Sequence, residues 1–269
     1  MIAEYALPFA LTLAAGLATA LGGLVVFQKR QPSQVFLASA LGFSAGVMLW
    51  VSFLEIIPKA TSYFTESYGA VKAQWYAVAA VFAGIAVIGV IDRLVPDAVN
   101  PHEPVLDASN EFDEDRNRAQ AFRKMGFMMA LAIGIHNFPE GFATFIAGTN
   151  DLQIALPIAV AIAVHNIPEG IAVALPIWQS TGSRASGFKW ATITGLAEPI
   201  GALVGFALLA PFMGPTTMGI CFAMIAGVMV FISIDELLPT AIATGKHHAA
   251  IYGLIVGMAV MAMSLLLFL

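Results

Sequence analysis

The sequence predicts an all-α, polytopic membrane protein, and three observations support this prediction. Hydrophobic residues make up 59% of the 269 residues and charged residues only 11%, whereas soluble domains carry about 25% charged residues. The apolar residues form long unbroken runs, unlike the short alternating segments of membrane β-barrels. The single cysteine excludes a disulfide framework. Together these features exclude a disordered chain, a nucleic-acid-binding protein with a basic face, and an ordinary cytosolic enzyme.

Eight stretches are long and apolar enough to cross a bilayer, whose core of ~30 Å requires about 20 residues per helix. No basic residue precedes the first stretch, which is long enough to span, so we interpret it as a helix and not as a signal peptide. The eight stretches leave no room for a separate soluble domain. They are called spans 1 to 8 and cover residues 5–27, 34–58, 73–94, 124–149, 152–178, 187–212, 215–240 and 248–268.

The distribution of basic residues predicts the orientation of the spans. With eight spans, ten of the 12 lysines and arginines fall on one side, and only Lys59 and Lys72 fall on the other. The basic side of a membrane protein is normally cytoplasmic, so both termini are predicted to lie on the non-cytoplasmic side. Residues 95–123 form the one long connection, which is cytoplasmic in this topology. It is acidic and rich in proline, and we expect a flexible, solvated linker.

A first internal repeat links spans 2 and 7. Residues 45–58 read AGVMLWVSFLEIIP and residues 226–239 read AGVMVFISIDELLP, with identity at half of the positions. Because spans 2 and 7 cross in opposite directions, the repeat predicts an inverted topology of the kind found in many secondary transporters. In that arrangement Glu55 lies near the outer mouth and Glu236 near the inner one. A packing motif shared by chance is the alternative.

A second repeat lies at the centres of spans 4 and 5. Residues 136–141 read HNFPEG and residues 165–170 read HNIPEG, so the two hexapeptides differ at one position. The short connection at Asn150 and Asp151 makes the two helices antiparallel neighbours. The two copies are therefore predicted to meet at the same membrane depth.

The polar groups of this second repeat predict a metal site. In each copy the histidine and the glutamate are four residues apart and share a helix face. Each proline leaves a carbonyl oxygen without its helical donor. Span 6 adds Glu198, and the spans contain no lysine or arginine between their ends to pair with these carboxylates. A charge at the bilayer centre costs at least ~2.5–3.5 kcal/mol, so the glutamates must be protonated, hydrated or neutralised by a cation. Imidazole together with carboxylate favours a transition metal.

On these motifs the chain resembles the ZIP family of divalent metal transporters, and within it the bacterial ZupT branch. The resemblance implies a 3+2+3 arrangement, in which residues 1–94 and 179–269 are inverted halves around residues 124–178. It also implies import of zinc, iron, manganese, cadmium and cobalt ions across a bacterial inner membrane by alternating access. The metal ligands that it implies are His136, Asn137, Glu140, His165, Asn166, Glu169, Glu198 and Met48.

The expected partners are divalent metal ions and the lipid bilayer, with no nucleic acid and no resident cofactor. Glycines four residues apart, such as Gly253 and Gly257, favour close helix packing and make a homodimer easy to form.

Two other functions fit the same groups less well. An intramembrane zinc-dependent hydrolase would normally place two histidines and a glutamate on one helix, whereas each motif here has one histidine. A proton-coupled carrier of a cationic or neutral organic solute could use the same carboxylates. We therefore predict a transporter and not an enzyme.

Overall fold

A computed structural model describes residues 2–28, 32–94, 130–131, 133–135, 137–149 and 152–267. Every element in these ranges is helical, and seven of the helices are long and apolar enough to cross a membrane. They correspond to spans 1–3 and 5–8, which confirms an all-helical, multi-pass protein. Span 4 is helical where it is described, between residues 130 and 149. Its first residues, 124–129, and the predicted cytoplasmic linker, 95–123, lie outside the described residues.

The first three spans lie within residues 2–94. Span 1 is the helix Ile2–Gly23 with a 3-10 turn at Leu24–Phe27, and span 3 is the helix Ala70–Leu94. Span 2 consists of helix Gln34–Val51, a π-helical turn Ser52–Ile56 and helix Ile57–Tyr68. Span 2 therefore continues ten residues beyond its predicted end at Pro58. The proline does not stop the helix, because it lies at the start of a new helical segment, where its missing N–H is tolerated.

The last four spans follow in the same manner. Span 5 is the helix Leu152–Thr181, and span 8 is the helix His247–Leu267. Span 6 comprises helices Arg184–Gly195 and Ala197–Leu209 and the 3-10 turn Ala210–Phe212. Span 7 comprises helix Pro215–Ile232, a π-helical turn Ser233–Leu237 and helix Leu238–Ala243.

The two π-helical turns occupy equivalent positions in the first repeat. In each turn the serine hydroxyl donates to the carbonyl four residues earlier, Ser52 to Met48 and Ser233 to Met229, both at 2.7 Å. A proline follows each turn and cannot donate to the carbonyl four residues before it. Both effects disturb the α-helical hydrogen-bond pattern, and the backbone responds with one wider turn.

Glycines bring helix backbones into close contact in two pairs of spans that resemble each other. A Cβ at Gly257 would lie 2.1 Å from the carbonyl oxygen of Phe43, and a Cβ at Gly84 would lie 2.1 Å from that of Met224. The first contact joins span 8 to span 2, and the second joins span 3 to span 7. Two further contacts form a second matched pair, Gly46 with Leu254 and Gly227 with Val81.

The two motif helices pack in the same way on spans 1 and 6. A Cβ at Gly22 of span 1 would lie 1.9 Å from the carbonyl oxygen of Ile167, and a Cβ at Gly201 of span 6 would lie 1.9 Å from that of Phe138. Ile167 and Phe138 are the one differing position of the hexapeptides. Span 5 therefore contacts span 1 as span 4 contacts span 6.

These contacts divide the helices into two groups. Spans 1, 5 and 6 pack together with the described part of span 4, and spans 2, 3, 7 and 8 pack together. Among the described helices, the largest contact between the groups is that of span 2 with span 5. The candidate site lies in the first group, and span 2 covers it from the second.

Candidate metal site

The motif residues place six polar side chains in the apolar interior. Each of them is at most 1% exposed, and no lysine or arginine is buried among the described residues. Met48 of span 2, the eighth candidate ligand, is also fully buried. His136 lies outside the described residues. The six are Asn137, Glu140, His165, Asn166, Glu169 and Glu198.

His165 and Glu140 join the two copies of the motif. Nε2 of His165 lies 3.2 Å from Oε2 of Glu140, so the imidazole of span 5 contacts the carboxylate of span 4. This contact brings the two motifs together, as the short connection between spans 4 and 5 predicts.

The two asparagines anchor the motif helices to spans 1 and 6. Asn166 Nδ2 donates to the carbonyl of Ala15 at 2.8 Å, and Asn137 Nδ2 donates to the carbonyl of Thr194 at 3.2 Å. Asn166 Nδ2 also donates to Oε1 of Glu198. The structure therefore brings Glu198 of span 6 beside the motif of span 5, a proximity that the sequence does not establish.

Sequence reasoning did not find Ser44, which contacts the site from span 2. Its hydroxyl lies 3.4 Å from Oε1 of Glu169 and 3.4 Å from the carbonyl oxygen of His165. Ser44 precedes Met48 by one helical turn, so both lie on the same face of span 2. Ser44 could have been found from the sequence, because it is a polar residue on the same helix face as the predicted ligand Met48.

Four buried oxygen atoms of the candidate ligands have no hydrogen-bond donor in the described part of the chain. Each such atom loses its hydration without compensation, which costs free energy. Glu140 and Glu169 also lie within electrostatic range of Glu198, so negative charge would accumulate if these groups were ionised. A cation would satisfy both deficits. The four atoms are Asn137 Oδ1, Glu140 Oε1, Asn166 Oδ1 and Glu198 Oε2.

The described groups form pairs and not a closed cluster. Among the described residues, no three His, Cys, Asp or Glu side chains converge as a ready metal cluster. The imidazole of His165 is paired with Glu140, and Glu198 is paired with Asn166. Without a cation, these two hydrogen bonds pair part of the buried ligand atoms, while the four oxygens named above have no donor in the described chain.

A multi-pass helical protein with carboxylates and an imidazole at its core is typical of membrane proteins that carry ions. Comparison with known families gives a more specific class. The family model described as "ZIP Zinc transporter" matches residues 96–265. The chain belongs to this ZIP family.

Individual relatives resemble the chain over nearly its whole length. The "Zinc transporter ZupT" of Corynebacterium glutamicum is 62% identical over 97% of this chain and 98% of its own length. The proteins of that name from Streptococcus mutans and Campylobacter jejuni are 51% and 47% identical, over 97% and 95% of this chain and 97% and 94% of their own. These relatives are named as transporters and not as enzymes, which agrees with the predicted class and gives the hydrolase alternative no support.

Proposed function

We propose that this protein imports divalent transition metal ions, including Zn²⁺, into the cytoplasm through the site on spans 4 and 5. The observation that carries the proposal is the set of four buried oxygen atoms without donors, at the core of a protein of the ZIP family. The relatives are named as zinc transporters, which supports zinc as a substrate.

The ligands proposed for the ion come from both motifs and from two neighbouring spans. A mixed nitrogen and oxygen donor set binds first-row divalent metals broadly, so we expect Fe²⁺, Mn²⁺ and Co²⁺, and also Cd²⁺, to compete with Zn²⁺. The neutral asparagine oxygens keep binding weak enough for release. The proposed ligands are His136, Asn137, Glu140, His165, Asn166, Glu169 and Glu198, with Met48 as a soft ligand from span 2.

The pairing of the ligands provides a mechanism for loading and release. A cation entering the site displaces the His165–Glu140 and Asn166–Glu198 hydrogen bonds, and these bonds form again when the ion leaves. Because these two hydrogen bonds form again when the ion leaves, fewer buried groups are left unpaired in the ion-free state, which lowers the cost of release.

Alternating access is proposed to use the two groups of helices. The matched glycine contacts and the matched π-helical turns support the 3+2+3 arrangement, in which spans 1–3 and 6–8 are inverted halves. Movement of the group containing the site against span 2 would expose the ion to one side and then the other. Both termini face away from the cytoplasm in this proposal.

A homodimer is also proposed, but the glycine faces do not supply its surface. A Cβ at Gly42 would lie 2.0 Å from the carbonyl oxygen of Ala250, and a Cβ at Gly253 would lie 2.3 Å from that of Ser39. These faces are occupied by contacts within the chain.

Flux in proteoliposomes tests the proposal. Glu140→Gln and Glu169→Gln keep the size of the buried side chain and remove its charge, and we expect each to abolish Zn²⁺ uptake or to reduce it strongly. Glu66→Gln is the matched control, because Glu66 is exposed at the end of span 2, and its uptake should equal that of the wild type. Wild-type uptake by both core variants would contradict the proposed site.

The preferred ion and its coupling are measured in the same vesicles. Competition of Zn²⁺ uptake by Fe²⁺, Mn²⁺ and Cd²⁺ at two external pH values reports the substrate range and any proton exchange. Competition by none of these ions would contradict the broad specificity expected from a mixed donor set.

A further inference from the structure

Thr19 of span 1 occupies the position that corresponds to Glu198 of span 6. A Cβ at Gly170 would lie 1.9 Å from the carbonyl oxygen of Thr19, and a Cβ at Gly141 would lie 2.0 Å from that of Glu198. Gly170 and Gly141 are the last residues of the two hexapeptides. Thr19 therefore packs on the span 5 motif as Glu198 packs on the span 4 motif.

Two facing glycines complete this correspondence. A Cβ at Gly16 would lie 2.3 Å from the carbonyl oxygen of Gly195, and a Cβ at Gly195 would lie 2.1 Å from that of Gly16. The Cβ at Gly16 would also lie 3.3 Å from the Cβ of Glu198. The Cβ at Gly195 would also lie 3.0 Å from the Cβ of Thr19. The side chain of Glu198 thus begins beside Gly16 of span 1, and the side chain of Thr19 begins beside Gly195 of span 6.

The hydroxyl of Thr19 is fully buried and has no hydrogen-bond partner among the residues that the structure describes. A helical threonine normally donates to the carbonyl four residues earlier, as Thr12 does to Pro8 at 3.0 Å. For Thr19 that carbonyl belongs to Ala15, which accepts Asn166 Nδ2 at 2.8 Å in addition to its helical backbone donor. The usual acceptor is thus already occupied.

A second unpaired oxygen lies beside the same peptide. Asn137 Nδ2 donates to the carbonyl of Thr194, the residue that precedes Gly195, and Asn137 Oδ1 has no donor in the described part of the chain. The Cβ of Thr19 lies against Gly195. Two buried oxygens without donors in the described chain, one from span 1 and one from span 4, therefore belong to side chains that contact neighbouring residues of span 6.

We infer that Thr19 Oγ1 and Asn137 Oδ1 form an uncharged half-site for the transported divalent cation, equivalent to the half-site of Glu198 and Asn166. This inference rests on the proposed metal transport. A hydroxyl and an amide oxygen suit a cation that keeps part of its water shell, and they neutralise none of its charge. The ion therefore binds more weakly beside Thr19 than beside Glu198, which makes the two positions unequal.

Thr19 is not among the ligands predicted from the motifs, because it lies on a different span and carries no charge. Its place becomes visible only when span 1 and span 6 are compared through their contacts with the motif helices.

Zn²⁺ titration of the full-length protein in lipid nanodiscs, followed by calorimetry, tests the half-site. The wild type should show a tight phase and a second, weaker phase. Thr19→Val removes the oxygen at constant size and should abolish the weaker phase alone, whereas Thr19→Ser should retain it. Thr19→Asp introduces a carboxylate opposite Glu198 and should tighten the weaker phase about tenfold or more, a fold-change large enough to resolve as a free-energy difference.

Thr12→Val is the matched control, because Thr12 is a buried threonine of the same helix whose hydroxyl is already paired. It should retain both phases. A single phase in the wild type, both phases in Thr19→Val, or an unchanged weaker phase in Thr19→Asp would each overturn the half-site.

Flux separates this outcome from a failure of the proposed function. If Zn²⁺ uptake persists and depends on Glu140 while the Thr19 variants bind as the wild type does, only the half-site is wrong. If the wild type shows neither uptake nor Glu140-dependent binding, the transport proposal and the half-site both fail.

Discussion

Asn166 shows how one side chain serves both the packing and the proposed site. Its Nδ2 donates to the Ala15 carbonyl and to Glu198, while its Oδ1 has no donor in the described chain. The amide therefore ties span 5 to spans 1 and 6 through its nitrogen and leaves its oxygen available to a cation. An aspartate in this place would offer only acceptors when ionised and could not make either hydrogen bond.

Replacement of Asn166 by alanine tests its structural role. Glu198 Oε1 loses its donor in a buried environment, and a buried acceptor left unsatisfied costs about 1–3 kcal/mol. We expect a lower thermal unfolding midpoint of the detergent-solubilised protein, and a smaller decrease when Zn²⁺ is added, because a bound cation can replace the donor and stabilise the folded state.

Thr144→Val is the control for this measurement. Thr144 is also buried, but its hydroxyl donates to the backbone carbonyl of Glu140 in its own helix. The loss of this bond therefore leaves no buried carboxylate without a donor. An Asn166→Ala protein with the wild-type midpoint would show that Asn166 does not stabilise Glu198.

At the level of the helices, close packing depends on glycines that face carbonyl oxygens. In lipid the hydrophobic effect does not drive helices together, so association relies on close van der Waals contact between backbones. The two hexapeptide helices each use such a contact, through Gly141 against Glu198 and through Gly170 against Thr19. The residues that hold the helices together are therefore neighbours of the residues that line the site.

Alanine substitution at these contacts should be severely destabilising. A Cβ at Gly22 would lie 1.9 Å from Ile167 O, and one at Gly141 would lie 2.0 Å from Glu198 O. Neither partner is a flexible side chain, so the helices must separate, at a cost above the ~1–3 kcal/mol typical of an overpacked core. We expect Gly22→Ala and Gly141→Ala to lose the monodisperse peak in size-exclusion chromatography or to unfold at a much lower temperature.

Gly89→Ala provides the comparison, because a Cβ there would meet the ring of Phe231 at 3.4 Å, an ordinary contact. It should behave as the wild type. Equal stability of all three variants would contradict the close approach of the helices at the motif.

For the whole molecule, the eight-span topology predicts which turns face each side of the membrane. In this topology the turn at Gly69 is outside, and the turns at Gly182 and Gly245 are cytoplasmic. These glycines have φ values of 76°, 67° and 75°, a left-handed conformation that suits glycine at the end of a helix. The sites next to them are exposed and suit labelling.

Cysteine labelling in intact cells measures this orientation. In a Cys221→Ser background, an impermeant maleimide should label Ala70→Cys without permeabilisation, because Ala70 begins span 3 on the outer side. Ala185→Cys and Ala243→Cys, both exposed, should react only after permeabilisation. The opposite pattern would reverse the membrane orientation and place both termini in the cytoplasm.

Much of this protein is determined by local properties of its sequence. Long apolar runs require helices, because a backbone in lipid must satisfy its own hydrogen bonds. The described spans agree with this prediction, apart from the extension of span 2 beyond Pro58. The hexapeptides also predicted polar groups of spans 4 and 5 that lie in the interior, such as Glu140 and His165, because helical periodicity and a short connection relate them locally.

Tertiary structure alone decided which distant side chains meet. The contact of Glu198 with Asn166, that of Ser44 with Glu169, and the placement of Thr19 opposite Glu198 depend on how spans 1, 2 and 6 cross the motif helices. Small residues permit many crossings in lipid, and no local pattern in the sequence selects one of them. The final choice depends on the fit of glycines to particular carbonyls and on the pairing of buried polar groups, which exist only when all the spans are in place.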